Sequence, residues 1–305
     1  MSYKQNTVVI LGLGLIGGSL ARSLRATGFC QRIVGWGHRE PSLARGVELG
    51  VIDSYTLNLE EAVAQADILV VATPTLIAAD MLQKVLPLLP EDGSGPVVTD
   101  VASVKGSLRD AVLASNGKMP PRLVLGHPIA GSERSGVDAS NVALFQRHRV
   151  ILTPEQDSDP KAVELIQAMW ESTGAEVVTM SVASHDAVLA ATSHLPHVLA
   201  YTLVDALAQT DANEDIFRFA AGGFRDFTRI ASSDPTMWKD IAIANKDALL
   251  DSLGNFEDHL VTLRAAIEAE DSDALLATFT RAKESRDRFT ALLAARASGQ
   301  NTSQD

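Results

Sequence analysis

The sequence predicts an α/β chain in two parts, an N-terminal doubly wound parallel sheet followed by an all-α domain, and three observations carry that prediction. Short β-branched or apolar runs alternate with helical stretches as far as Met180. The first run opens onto a glycine pattern, Gly12-Leu13-Gly14-Leu15-Ile16-Gly17. After Met180 the β-branched runs stop and helical periodicity continues to the end. Strands that alternate with helices pair in parallel through right-handed crossovers, and such sheets bind ligands beyond the carboxyl ends of their strands.

Composition narrows the function classes. A chain of 305 residues is long enough for two domains, and 46% apolar content is that of an ordinary globular protein. The net charge of −12 argues against a nucleic-acid partner, although a local cluster of Arg and His would still hold a small anion. Cys30 is the sole cysteine, so no internal disulfide forms and a reducing, cytoplasmic setting is expected. No run of 18 apolar residues is found, so no membrane span or membrane partner is expected. The N-terminal apolar run is patterned with glycine and has no convincing cleavage site, so no signal peptide is expected.

Thr7 to Leu11 reads as a buried strand feeding a helix that runs through Arg25. Strand, glycine turn, helix is the context of a Rossmann dinucleotide fingerprint. Gly12 permits the tight turn, Gly14 lets a pyrophosphate approach, and Gly17 lets the helix pack on the strand. The phosphates then meet the N–H groups that open the helix around Leu15 and Ile16. A second strand, Arg32 to Trp36, ends without the usual acidic residue for a ribose diol. Gly37-His38-Arg39 stands there instead. A guanidinium suits the 2′-phosphate of NADP; the alternative is a solvated Arg39. The cofactor is therefore NADP or NAD, with a lean to NADP or to dual use.

The alternation continues through helices 41–50 and 59–65, strand 68–72, helix 76–89, strand 97–101, a helix from Ser103, and strand 123–125. Three loops leave the strand ends. Thr73-Pro74-Thr75 faces the cofactor, Ala102-Ser103-Val104-Lys105 holds a serine that either caps its helix or meets substrate, and the third begins Gly126-His127-Pro128. His127 delivers a group that titrates near neutrality to the ligand-binding edge; taken alone, the segment reads rather as a loop in which His127 merely caps the strand. Strands 149–152 and 176–179, with helix 161–172 between them, finish the sheet.

The helical half places Leu253, Phe256, Leu260, Leu263 and Ile267 on one face, and Leu275, Phe279, Phe289 and Leu293 on another long helix. So much helix with little else suggests an interlocking dimerisation domain, hence a homodimer. The domains expected are 1–180 for the dinucleotide and 181–297 for substrate and dimerisation, with a disordered tail at 298–305. In Ser193-His194-Leu195-Pro196-His197 the proline should kink a helix, and the two histidines project to one side. A metal there lacks a third ligand, so none is expected. Asp226 and Arg229 share a helical face, as an ion pair or as ligand contacts. Asp234 before Pro235 reads as an N-cap.

These motifs, with Asp100-Val101-Ala102-Ser103-Val104-Lys105 and Gly223-Phe224-Arg225-Asp226-Phe227-Thr228-Arg229-Ile230-Ala231, together resemble the prephenate/arogenate dehydrogenases. The glycine fingerprint is shared by many dehydrogenases; the other four motifs are specific to the family. The resemblance implies oxidative decarboxylation of prephenate or arogenate, with hydride transfer to NAD(P). It implies that His127 is the catalytic histidine, that Ser103 assists it, and that Arg229 binds substrate. It also implies that Ser193, His194 and His197 surround the substrate, that Glu133 is a gating carboxylate, and that Asp226 belongs to the site's ion network. Two alternatives stand beside it. A β-hydroxyacid dehydrogenase or imine reductase usually relies on a lysine in the helical half, where Lys239 and Lys246 sit in ordinary helical context. A non-catalytic dinucleotide sensor has no need of His127 beside an arginine.

Overall fold

The computed structural model describes residues 5–90, 92–132, 134–210 and 213–297, which fall into two compact units divided between Leu249 and Leu250. The first unit contains one sheet built from β1 (Gln5–Leu11), β2 (Cys30–Trp36), β3 (Ser54–Thr56), β4 (Ile68–Val71), β5 (Val97–Asp100), β6 (Leu123–Pro128), β7 (Arg149–Thr153) and β8 (Glu176–Thr179). In space the order is β3-β2-β1-β4-β5-β6-β7-β8. The chain departs in opposite directions from β1 and β4, so a crevice opens beyond their carboxyl ends.

Helices α1 (Leu15–Thr27), α2 (Glu40–Glu48), α3 (Leu59–Ala64), α4 (Thr75–Val85), α5 (Gly106–Asn116) and α6 (Pro160–Ser172) cover the sheet. Val8 and Ile10 pack with Leu20, Leu24, Leu43, Ile166 and Trp170 from α1, α2 and α6. Val9 and Leu11 pack on the other face with Ala62, Met81, Leu82 and Leu108 from α3, α4 and α5. Burial on both faces is why the strands are continuous apolar runs rather than alternating ones.

The sheet differs from the sequence expectation in four places. β7 runs antiparallel to β6. Among the described residues of 129–148 there is one short helical turn, Val137–Ala139, and no crossover helix, so the chain folds straight back along β6. That pairing extends β6 to Pro128, so His127 lies within the strand, opposite Ile151. β3 is an added edge strand. Helix α5 starts at Gly106, so Ser103 does not cap it.

Beyond the sheet, α7 (Val182–Leu189) passes through a π turn, Ala190–His194, into α8 (Leu195–Ala208). Pro196 is in the first turn of α8, where its missing N–H does least harm, and the widened π turn absorbs the expected kink. By length and composition Val182–Ala208 could cross a membrane, which a count of uninterrupted apolar residues overlooks. The polar groups that interrupt it, His185, Asp186 and His194, are buried, whereas Val188 and Leu203 are exposed. Next come α9 (Asn213–Arg218), α10 (Gly222–Thr228), a 3₁₀ turn Arg229–Ser232, and α11 (Pro235–Ala244). Asp234 caps α11 by accepting the N–H of Thr236 at 2.8 Å, as its sequence position predicts. Two long helices, α12 (Lys246–Glu268) and α13 (Ser272–Ala297), end the described chain. Their apolar faces are as spaced in the sequence, yet Leu260, Ile267 and Phe279 remain more than half exposed at 51%, 58% and 57%.

Candidate active site

The turn after β1 is shaped by what a side chain would strike. Gly12 has φ +103°, and a Cβ there would lie 2.6 Å from the Ala72 carbonyl oxygen. A Cβ on Gly17 would lie 2.3 Å from the Gly12 carbonyl oxygen. Gly14 is the opposite case: it is the N-cap residue of α1, and a Cβ there would meet nothing within 4 Å. No side chain caps α1 among the described residues, so the N–H groups of Leu15 and Ile16 face open space at the positive end of the helix. Beside them, at the end of β4, Thr73 Oγ1 is buried without a hydrogen-bond partner and Pro74 precedes α4. Open backbone, an uncapped helix end and an unused hydroxyl fit a dinucleotide. At the end of β2, His38 stands edge-on to Trp36 with centroids 4.9 Å apart, and Arg39 is exposed at the N-cap position of α2.

His127 is held from behind and from below. Gly126 is too far along β6 to pair with β5, and two side chains take over the ladder. Asp100 Oδ1 accepts the Gly126 N–H at 3.0 Å, and Lys105 Nζ donates to the Gly126 carbonyl at 2.6 Å and to Asp100 Oδ2. Both charged side chains have zero exposure. His127 Nδ1 lies 2.9 Å from His185 Nε2, and His185 Nδ1 lies 2.7 Å from Asp186 Oδ1. Asp186 also takes the place of a cap on α5, accepting the N–H groups of Lys105 at 2.9 Å and Gly106 at 2.7 Å. Burial drives the His127 pKa well below 6.5, with His185, Lys105 and His194 adding to the effect, so the ring is neutral at pH 7. Burial alone would raise the Asp186 pKa, but the hydrogen bonds from His185, Lys105 and Gly106 outweigh it and hold the carboxylate ionised.

The network continues into the helices. Asn245 Nδ2 donates to the Asp186 carbonyl at 2.9 Å and to His194 Nδ1 at 3.0 Å. His194 is buried and its pKa falls to about 4, chiefly by desolvation. His197 stacks on Trp238 with ring centroids 3.5 Å apart, and its Nδ1–H donates to the Ser193 carbonyl at 2.8 Å. Burial, together with the Arg229 charge, lowers the His197 pKa. His127, His194, His197 and Arg229 thus join one electrostatic neighbourhood, with Ser193 at its edge. Ser103 is half-buried in the loop between Asp100 and Lys105. Asp226 is exposed and pairs with Arg225 at 3.2 Å. Glu133 lies outside the described residues. Sequence reasoning missed His185, Asp186, Asn245 and Trp238. The available signal was Ser184-His185-Asp186, two titratable residues inside an otherwise apolar helix.

The loop that leaves His127 returns over α1. Arg22 Nε donates to Ser140 Oγ at 2.7 Å, the Asn141 N–H donates to Ser19 Oγ at 2.9 Å, and Ser23 Oγ donates to the Val142 carbonyl at 2.8 Å. Gly18 lies under Ser140, where a Cβ would come within 3.0 Å of the serine Cβ.

The chain is similar to known proteins over most of its length. Residues 20–179 match the family model for the nucleotide-binding domain of prephenate dehydrogenase, and residues 181–281 match the model for its dimerization domain. The chain is 38% identical to a prephenate dehydrogenase of Bacillus subtilis, over 94% of this chain and 77% of that protein. It is 36% identical to a cyclohexadienyl dehydrogenase of Zymomonas mobilis, over 92% and 94% of the respective chains. The crystal structure of Aquifex aeolicus prephenate dehydrogenase with hydroxyphenyl propionate and NAD+ superposes with a TM-score of 0.86 at 38% identity, covering 95% of this chain and all of that one. The chain belongs to the prephenate dehydrogenase family.

Proposed function

We infer that this protein is an NAD(P)-dependent dehydrogenase that oxidatively decarboxylates prephenate, arogenate or both, giving 4-hydroxyphenylpyruvate or tyrosine. The observation that carries the reading is His127, a neutral imidazole at the carboxyl end of a sheet whose glycine turn is open for a dinucleotide. NAD(P)+, when bound, accepts the hydride from the ring carbon that bears the hydroxyl. His127 takes the hydroxyl proton as that carbon becomes a carbonyl. The ring-to-carboxylate bond then breaks, its electron pair enters the ring as carbon dioxide leaves, and the resulting phenolate takes the proton back from His127. Such proton transfer contributes about 10²–10⁴ in rate.

In this reading Arg229 binds a substrate carboxylate, and Ser193, His194 and His197 line the substrate with Ser103 beside the base. Asp226 and Glu133 belong to the surrounding ion network, Glu133 as a gate. Gly12, Gly14, Leu15, Ile16, Gly17, Thr73 and Pro74 hold the dinucleotide. We further propose that NADP is used at least as well as NAD. A Cβ on Gly37 would meet only the Leu43 side chain, at 3.7 Å, so a carboxylate would fit where none is present, and Arg39 is exposed two residues on. The division into 1–180 and 181–297 is supported by the two family matches, which meet at residue 180. The apolar faces of α12 and α13 support a homodimer, and the lone cysteine a cytoplasmic enzyme.

Cofactor absorbance with each substrate against each cofactor tests the whole reading. His127→Asn should lose most of kcat with little change in KM, whereas Arg229→Ala should mainly raise KM. A His127→Asn variant with wild-type turnover across pH would refute the mechanism, and strict NAD dependence would refute the cofactor proposal.

A further inference from the structure

His185 and Asp186 have no part in the reaction as derived above, yet they stand directly behind its base. Asp186 accepts hydrogen bonds from two backbone N–H groups and lies against His185 Nδ1. An ionised carboxylate only accepts, so the proton of that contact belongs to His185 Nδ1. With that one proton on Nδ1, His185 offers a lone pair at Nε2. In that arrangement His127 donates its Nδ1–H to the lone pair across the 2.9 Å contact, which leaves His127 Nε2 unprotonated. The order of protons therefore runs outward from the carboxylate and ends with a basic nitrogen at the far side of the His127 ring.

We propose that Asp186 and His185 form a positioning relay that fixes His127 in its Nε2-basic tautomer and stabilises the imidazolium formed when it takes the substrate proton. The proposal rests on His127 being the base. In the step, the substrate O–H bond breaks and an Nε2–H bond forms. The Nδ1–H stays on His127, and its bond to His185 strengthens as the ring becomes cationic. Charge on the His185 ring itself, on Lys105, paired with Asp100 in the loop before α5, and on His194 from the π turn opposes a proton on His127. Asp186, acting through His185, supplies the opposing negative charge. The cap on α5 serves the same end, because the two N–H groups that Asp186 satisfies hold its carboxylate in place.

His185→Phe keeps a ring in the cavity and removes the acceptor, whereas His185→Gln offers an amide oxygen to the same Nδ1–H. With prephenate, His185→Phe should lower kcat by about 10²-fold or more, with KM held within about twofold. His185→Gln should recover about tenfold or more of that loss, because it restores the tautomer without a titratable ring. Imidazole nitrogen NMR of the wild-type enzyme, with His127 assigned through His127→Asn, should show a protonated Nδ1 and an unprotonated Nε2, and this readout requires no relay variant to fold. The relay is overturned by a His127 ring carrying its proton on Nε2, by kcat of His185→Phe within about threefold of wild type, or by equal impairment of the Phe and Gln variants. Failure of the wild-type enzyme to oxidise either substrate would instead overturn the functional reading, so the two failures are distinct.

Discussion

Replacing Lys105 by methionine keeps much of the side chain's volume while removing its charge, and the structure defines what is left behind. Nζ has no exposure and serves both Asp100 and the Gly126 carbonyl. Without it Asp100 keeps the N–H groups of Ala102 at 2.8 Å and Gly126 at 3.0 Å but has lost its cation, and the carbonyl has lost its donor. Removing one partner of a buried pair costs about 3–5 kcal/mol, because a buried charge is left uncompensated. An orphaned buried carbonyl by itself costs about 1–3 kcal/mol. The two donors that remain on Asp100 soften the first loss, and the combined expectation is about 4 kcal/mol, a large share of the ~5–15 kcal/mol that holds a protein folded. Urea unfolding of wild type, Lys105→Met, Asp100→Asn and the double variant, at matched protein concentration, measures it. The double variant should lose less than the sum of the singles, with a coupling of about 2 kcal/mol. A Lys105→Met deficit under about 1 kcal/mol, or strict additivity, would refute the view that this pair carries the β5–β6 ladder to His127.

Acidification should destabilise the protein early. His194 falls from 6.5 to about 4 by burial, and His127 is displaced in the same direction. Below about pH 6.5 the unfolded chain therefore binds protons that the folded chain refuses, so stability declines from there toward about pH 4, with His194 alone contributing about 3 kcal/mol. Thermal melts across that interval check the sign, and a melting temperature that is flat or rises on acidification refutes it. The glycine turn offers a paired contrast. Gly17→Ala forces a methyl within 2.3 Å of the Gly12 carbonyl oxygen, so it should cost about 2 kcal/mol or more without any cofactor. Gly14→Ala enters open space, so it should leave the cofactor-free melt almost unchanged while weakening NAD(P) binding about tenfold or more in calorimetric titration. Equal melting losses for the two variants would contradict this assignment.

Much of this was legible because the demands were local. Gly12 and Gly17 answer steric limits set within a few residues, and Val8 to Leu11 is apolar throughout because both faces of β1 are covered. Asp234 caps the helix that begins one residue later. What escaped the sequence was set by residues distant in the chain. Nothing in Arg149–Thr153 records its direction, which depends on the missing crossover before it. The start of α5 was misjudged because its cap is Asp186, some 80 residues away, rather than the adjacent Ser103. His185 was passed over for the same reason: two titratable residues in an apolar helix mark the place, but the partner that gives it meaning, His127, lies 58 positions earlier. The apolar faces of α12 and α13 were visible in their spacing, whereas how much of each stays exposed was not.

The stitching of the loop after His127 onto α1 has a consequence for the timing of catalysis. The helix whose first turn is proposed to meet the phosphates also carries Ser19, Arg22 and Ser23, which fasten residues 140–142. On the proposed function, base and hydride acceptor are therefore tied to the same helix by three hydrogen bonds. Their spacing is then a property of the folded chain, present before substrate arrives.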